Sequence, residues 1–133
     1  MNIVYEVPNT KEYLELRIAA GLGAKDEAIV EKSLNHSLFA VILRGDDSEL
    51  LGMGRIIGDG AWFYQIVDIV IAPSYQSQGF DDIIMQELTN YLNHNVAHGA
   101  EVILMADVPK VSFYQKFGFE FTYPNSISLC KKI

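Results

Sequence analysis

The sequence predicts an α/β domain built on a mixed sheet, in the order β-α-α-β-β-β-α-β-α-β-β, and three observations carry that reading. A nearly continuous apolar run from Ala61 to Ala72 reads as a long strand covered on both faces. A Pro-marked turn, a helical pattern from about Asp81 to His94 and a buried strand from Glu101 to Ala106 follow it, which makes a right-handed parallel crossover. Upstream, Gly45-Asp46-Asp47 lies between two apolar runs and signals an antiparallel hairpin.

The remaining elements follow in order. Ile3 to Val7 is a first strand, and Pro8-Asn9-Thr10 is a turn whose Asn9 or Thr10 caps a helix running to about Ala20. Leu14, Ile18 and Leu22 recur at spacing four and predict its buried stripe. Gly21-Leu22-Gly23 ends that helix, and Asp26 to His36 forms a second, with Ala28, Ile29 and Leu34 inward. Leu38 to Leu43 and Leu50 to Ile57 are the hairpin strands, where Gly52 and Gly54 predict a bulge or a close backbone approach. Pro109 to Phe117 is a short helix stopped at Gly118, and Phe119 to Thr122 with Ser126 to Lys131 forms a last antiparallel pair. No repeat or low-complexity segment interrupts the chain, so residues 1–133 read as one domain.

Composition narrows the function. The 133 residues are 50% hydrophobic and 20% charged, enough for one compact core. A net charge of −7 argues against nucleic acid or an anionic membrane as partner, since both are bound through clustered Lys and Arg. A small cationic amine or a basic peptide fits better. The single cysteine, Cys130, makes no internal disulfide, and no Cys/His cluster suggests a metal. The N-terminus lacks the pattern of a signal peptide and no apolar run is long enough to span a bilayer, so a cytoplasmic location is expected.

Two motifs carry chemistry: Ile66 to Asp82, IVDIVIAPSYQSQGFDD, and Ser112 to Phe119, SFYQKFGF. The first aims the amides of a Gln-x-x-Gly loop and a helix start at an anion. Together they resemble the GNAT superfamily of acyl-CoA-dependent N-acyltransferases. In that family a Gln/Arg-x-x-Gly-x-Gly/Ala loop holds the CoA pyrophosphate, and a later Phe-Tyr-x-x-x-Gly-Phe helix carries the acid. The element order is similar over essentially the whole chain. The resemblance implies acetyl-CoA as acyl donor, no metal, and transfer to a primary amine of a small molecule or peptide. Asp81 stands where relatives carry the second Gly or Ala, Val108 stands where many carry an Asn, and the loop holds no Lys or Arg to offset its acids.

The resemblance assigns roles residue by residue. Backbone groups of Ile69, Val70 and Ile71 would cradle the thioester, and Gln76, Ser77, Gln78, Gly79, Phe80 and Asp81 would form the pyrophosphate loop. Tyr114 would protonate the departing thiolate, or else it is a core aromatic beside Phe113 and Phe117. Asp68 is the one ionisable residue inside the long strand, and period-two geometry groups it with Tyr64, Ile66 and Val70. It either binds the substrate ammonium, relays its proton, or anchors a network with Arg55 or Arg17. Trp62, Phe63 and Tyr64 would wall an amine pocket with Leu22 and its flanking glycines, or they are ordinary core. His36, His94 and His98 lie near helix ends, where capping is expected, and Cys130 is expected to be a buried, inert thiol. A homodimer is an assembly open to the chain. The alternative from another class is a non-catalytic module that keeps the fold and uses the cleft or a strand edge for binding.

Overall fold

A computed structural model describes residues 1–133 and builds five strands into one sheet, in the order β1-β2-β3-β4-β5. The strands are β1 (Asn2–Val4), β2 (Phe39–Arg44), β3 (Leu50–Gly58), β4 (Phe63–Ile71) and β5 (Glu101–Leu104). The helices are α1 (Thr10–Ala19), α2 (Glu27–Asn35), α3 (Phe80–Asn95) and α4 (Val111–Gln115). β1 to β4 pair antiparallel, and β4 pairs β5 in parallel through the α3 crossover, as the sequence predicts.

Each face of the sheet buries its own apolar layer. α3 packs Ile84, Met85 and Leu88 against Val41, Leu43, Leu51, Ile56, Tyr64 and Ile66. Fully burying each of those three helix side chains contributes about 1.5–3 kcal/mol. Gly54 lets α3 sit close, because a Cβ there would stand 2.6 Å from Ile84 Cγ2 and 3.0 Å from Leu88 Cδ1. On the opposite face Tyr13, Leu16, Val30 and Leu34 of α1 and α2 cover Ile42, Met53 and Val70. α1 starts on a capping box: Asn9 Oδ1 accepts from Glu12 N–H, and Glu12 Oε2 accepts from Asn9 N–H, both at 2.8 Å.

Three expectations are corrected. The buried stripe of α1 is Tyr13 and Leu16, leaving Ile18 59% exposed and Leu22 outside the helix, while α2 buries Val30 and Leu34 and leaves Ala28 and Ile29 outside. Apolar residues adjacent in sequence make the phase of a short helix ambiguous, and polar anchors described below choose it. Secondly, β4 is the fourth strand of five, and it carries an extra residue: Met53 pairs with Val70 but Arg55 pairs with Val67. That bulge inverts the alternation, so Tyr64 and Ile66 face α3 while Val70 faces α1 and α2. Asp68, at φ 57°, sits in the bulge and does not share a face with Tyr64 and Ile66. Thirdly, the terminal pair does not form: 119–133 contain no strand, which leaves β5 as an edge. Two isolated strands are marginal in water without a third to cover them.

Candidate active site

β4 outruns β5, and the site opens where it does. The ladder joins only Phe63–Ile66 to Glu101–Leu104, so the backbone from Val67 to Ile71 has no strand on that side. A cleft of about 330 Å³ lies over this free edge. Ile69, Val70 and Ile71 form its floor, and Tyr75, Gln76, Ser77, Phe80 and Asp81 form one wall. Asp107, Lys110, Phe113 and Tyr114 form the other, with Ala20 and Leu22 at the rim.

The local geometry of the first wall leaves backbone donors free. Pro73–Tyr75 turns the chain out of β4, and Ser77 and Gly79 take left-handed conformations at φ 66° and 81°. Gly79 has no side chain to cap α3, and the amides of Ser77, Gln78, Gly79, Phe80 and Asp81 donate to no protein acceptor. Of these residues Ser77, Phe80 and Asp81 line the cleft, at the positive end of a 16-residue helix. Gln78 and Gly79 shape the loop without lining the cleft.

The acids of this wall have a partner that sequence reasoning missed. Lys110 Nζ lies 3.2 Å from Asp81 Oδ2, so a cation does offset the loop, from the opposite wall. No local signal announces a pair separated by 29 positions. Asp107 adds a second carboxylate to the cleft.

Tyr114 stands between the walls. α4 presents it beside Phe113, edge to face at 5.2 Å, and it also borders an adjoining hollow lined by Ile66, Asp68, Ile69 and Met105. Its hydroxyl has no protein hydrogen-bond partner. Burial, then the negative charges of Asp107 and Asp81, push its pKa above the usual 10.0, so the phenol keeps its proton.

Asp68 is fully engaged. Its Oδ2 accepts from Arg55 Nε at 2.7 Å and its Oδ1 from the Tyr13 hydroxyl at 2.9 Å. Arg55 also donates to Ser33 O and Oγ and to Ser37 Oγ, at 3.0 to 3.1 Å. Burial and the Asp68 charge raise the Tyr13 pKa against the opposing Arg17, so Tyr13 remains a donor. The bulge is thereby held by α1 and by the end of α2 together.

The expected aromatic pocket is not assembled. Tyr64 is 6% exposed within the core, and Trp62 and Phe63 stack on each other at 5.2 Å at the far end of β4, while Leu22 lies at the cleft. His36 Nδ1 bonds Lys32 O and His94 Nδ1 bonds Asn90 O, each within its own helix end, while Cys130 is exposed rather than buried because no terminal strand forms to cover it. No helix is long and apolar enough to cross a membrane.

Comparison with known proteins agrees with this geometry. A family model described as acetyltransferase (GNAT) domain matches residues 21–128. A Staphylococcus aureus crystal structure described as a "Probable Acetyltransferase" is 39% identical, with TM-score 0.91 over 99% of this chain and 98% of that one. A GNAT family acetyltransferase from Streptococcus pneumoniae TIGR4 is 29% identical, with TM-score 0.77 over 99% and 96%. Among curated sequences, the uncharacterized N-acetyltransferase ycf52 of Porphyra purpurea is 32% identical over 93 residues, 68% of this chain and 52% of its own. The chain spans about half or less of the length of the curated relatives it matches.

Proposed function

The chain belongs to the GNAT acetyltransferase family, and on that premise we propose that it transfers an acetyl group from acetyl-CoA to a primary amine by direct attack. The observation that carries the reading is one cleft shared by the free β4 edge at Ile69–Ile71, the loop residues Ser77, Phe80 and Asp81 with their unbonded amides, and Tyr114. Acetyl-CoA supplies the activated thioester. The loop amides and Lys110 bind its pyrophosphate, and the β4 backbone donates to the carbonyl oxygen on which charge develops. As the new C–N bond forms and the C–S bond breaks, Tyr114, neutral at physiological pH, gives its proton to the leaving sulfur, and the proton lost by the amine nitrogen passes through solvent and restores the phenol. Asp68 acts through the bulge: with both oxygens engaged it positions the β4 amides. The net charge of −7 favours a small cationic amine or a basic peptide amine as acceptor.

Titration calorimetry with acetyl-CoA tests the donor, and thiol release with a panel of diamines and a peptide amine tests transfer. Tyr114→Phe should bind acetyl-CoA as the parent does and turn over about 10²-fold more slowly. Equal turnover at saturation would remove Tyr114 from the mechanism. Asp81 and Asp107 in the cleft favour a second reading, a ligand-binding module without catalysis, and no binding of acetyl-CoA at millimolar concentration would establish it.

A further inference from the structure

Direct attack places charge on three reacting atoms, and the groups named so far answer two of them. As the neutral amine adds to the thioester, its nitrogen turns positive while the carbonyl oxygen turns negative. The β4 amides meet the oxygen and Tyr114 meets the sulfur, which leaves the nitrogen without a counter-charge. The amine must arrive from beside the cleft, because the cleft takes acetyl-CoA. A hollow of about 190 Å³ lies there, between the free edge of β4 and the chain leaving β5 at Leu104 and Met105. Cleft and hollow share Leu22, Ile69, Val70, Asp107 and Tyr114, so they meet at the proposed acid.

Three carboxylates border these two spaces, and two are already engaged. Asp68 is held by Arg55 and Tyr13. Asp81 lines the cleft but not the hollow, and it is paired with Lys110. Asp107 lines both spaces and takes part in no ion pair. An Asp at the start of a helical turn ordinarily caps it. Asp107 stands at that position before Val108–Lys110, yet its side chain accepts no capping bond. No Lys, Arg or His lines the hollow to neutralise it. A carboxylate that caps nothing and repels the phosphates of acetyl-CoA is explained by a positive partner that arrives with the substrate.

Resting on the transferase reading, we propose that Asp107 is a second catalytic residue, which meets the acceptor nitrogen in the hollow and takes its proton as the nitrogen attacks. The C–N bond forms and the nitrogen's proton moves to an Asp107 oxygen. The C–S bond breaks as sulfur takes the Tyr114 proton, and solvent then carries the proton from Asp107 to the phenolate, so both groups end as they began. The acceptor it fits is an aliphatic primary amine, whose ammonium form in solution the same carboxylate attracts. Its effect does not run through Tyr114. Burial and then the Asp107 charge hold the Tyr114 pKa up, so removing that charge leaves a stronger acid, and a fall in turnover cannot arise there.

The test reads the two substrates separately on the full chain: acetyl-CoA binding by calorimetry, and thiol release with butylamine and a peptide amine as acceptors. Asp107→Asn should bind acetyl-CoA at least as tightly as the parent, because a negative charge leaves the cleft, while kcat/KM for the amine falls about 10²-fold. Asp107→Ala should fall further, and added formate should restore its turnover about tenfold by supplying the missing carboxylate. Undiminished amine turnover in Asp107→Asn would overturn the assignment and leave the transferase reading standing. A loss of acetyl-CoA affinity in step with turnover would overturn it too, by making Asp107 a structural prop, as would an Asp107→Ala that formate does not rescue. A parent that binds no acetyl-CoA, or releases no thiol with either amine, would sink the transferase reading and this assignment together.

Discussion

Arg55 is the side chain whose loss should damage the fold most for the fewest atoms moved. Arg55→Met keeps most of the stem but removes the ion pair to Asp68 and three further bonds to Ser33 and Ser37. Asp68 would then keep only the Tyr13 hydroxyl, in a place where its side chain is 14% exposed. Breaking a buried pair by removing one partner costs about 3–5 kcal/mol, most of it the desolvated charge left behind. With an unfolding entropy of about 2.1 cal/mol/K per residue, a chain of 133 residues loses about 11–18 °C in Tm. Asp68→Asn removes that charge while Asn tolerates the left-handed backbone, so the double variant should be more stable than the sum of the single effects by about 1–3 kcal/mol. Urea unfolding followed by far-ultraviolet circular dichroism measures all three. A loss below about 1 kcal/mol for Arg55→Met, or strict additivity, would refute the account of the bulge as held by this pair.

Two further outcomes follow from other pairs. Asp81→Asn removes a negative charge from the cleft and frees Lys110, so acetyl-CoA should bind about fivefold to tenfold tighter at low salt, with the gain shrinking as salt rises; an unchanged Kd would mean that Asp81 serves only Lys110. The Arg44 hydrogen bonds hold the Glu12 pKa below 4.5 against the opposing effect of burial, so this pair's stabilisation is full above that pH and lost as pH falls through the lowered value. Arg44→Met should flatten the acid limb of a stability–pH curve, and an unaltered slope below pH 4.5 would contradict the linkage.

What the sequence shows plainly is what neighbouring residues decide. The Asn9–Glu12 box, the turn after Arg44 and the Gly79 entry to α3 are all written within a few positions. The phase of α1 is not, because Leu14 and Leu16 serve opposite choices until Tyr13 finds Asp68 across 55 positions. The extra residue of β4 is equally silent, since an Asp within a run of Ile and Val carries no mark of a left-handed backbone. Lys110 reaches Asp81 only after the crossover has folded, so no reading of the loop alone can supply it.

The β2-β3-β4 meander also sets an order of assembly. Its strands are joined by residues 45–49 and 59–62, whereas β4 meets β5 only after 72–100 have been gathered. Closing short loops costs less chain entropy than closing a long one. The meander should therefore nucleate first, with β5 and everything after it docking onto a finished edge. Pulsed hydrogen exchange during refolding would show Val41 and Ile56 protected before Val102 and Ile103, and simultaneous protection would argue for a nucleus that already contains the crossover.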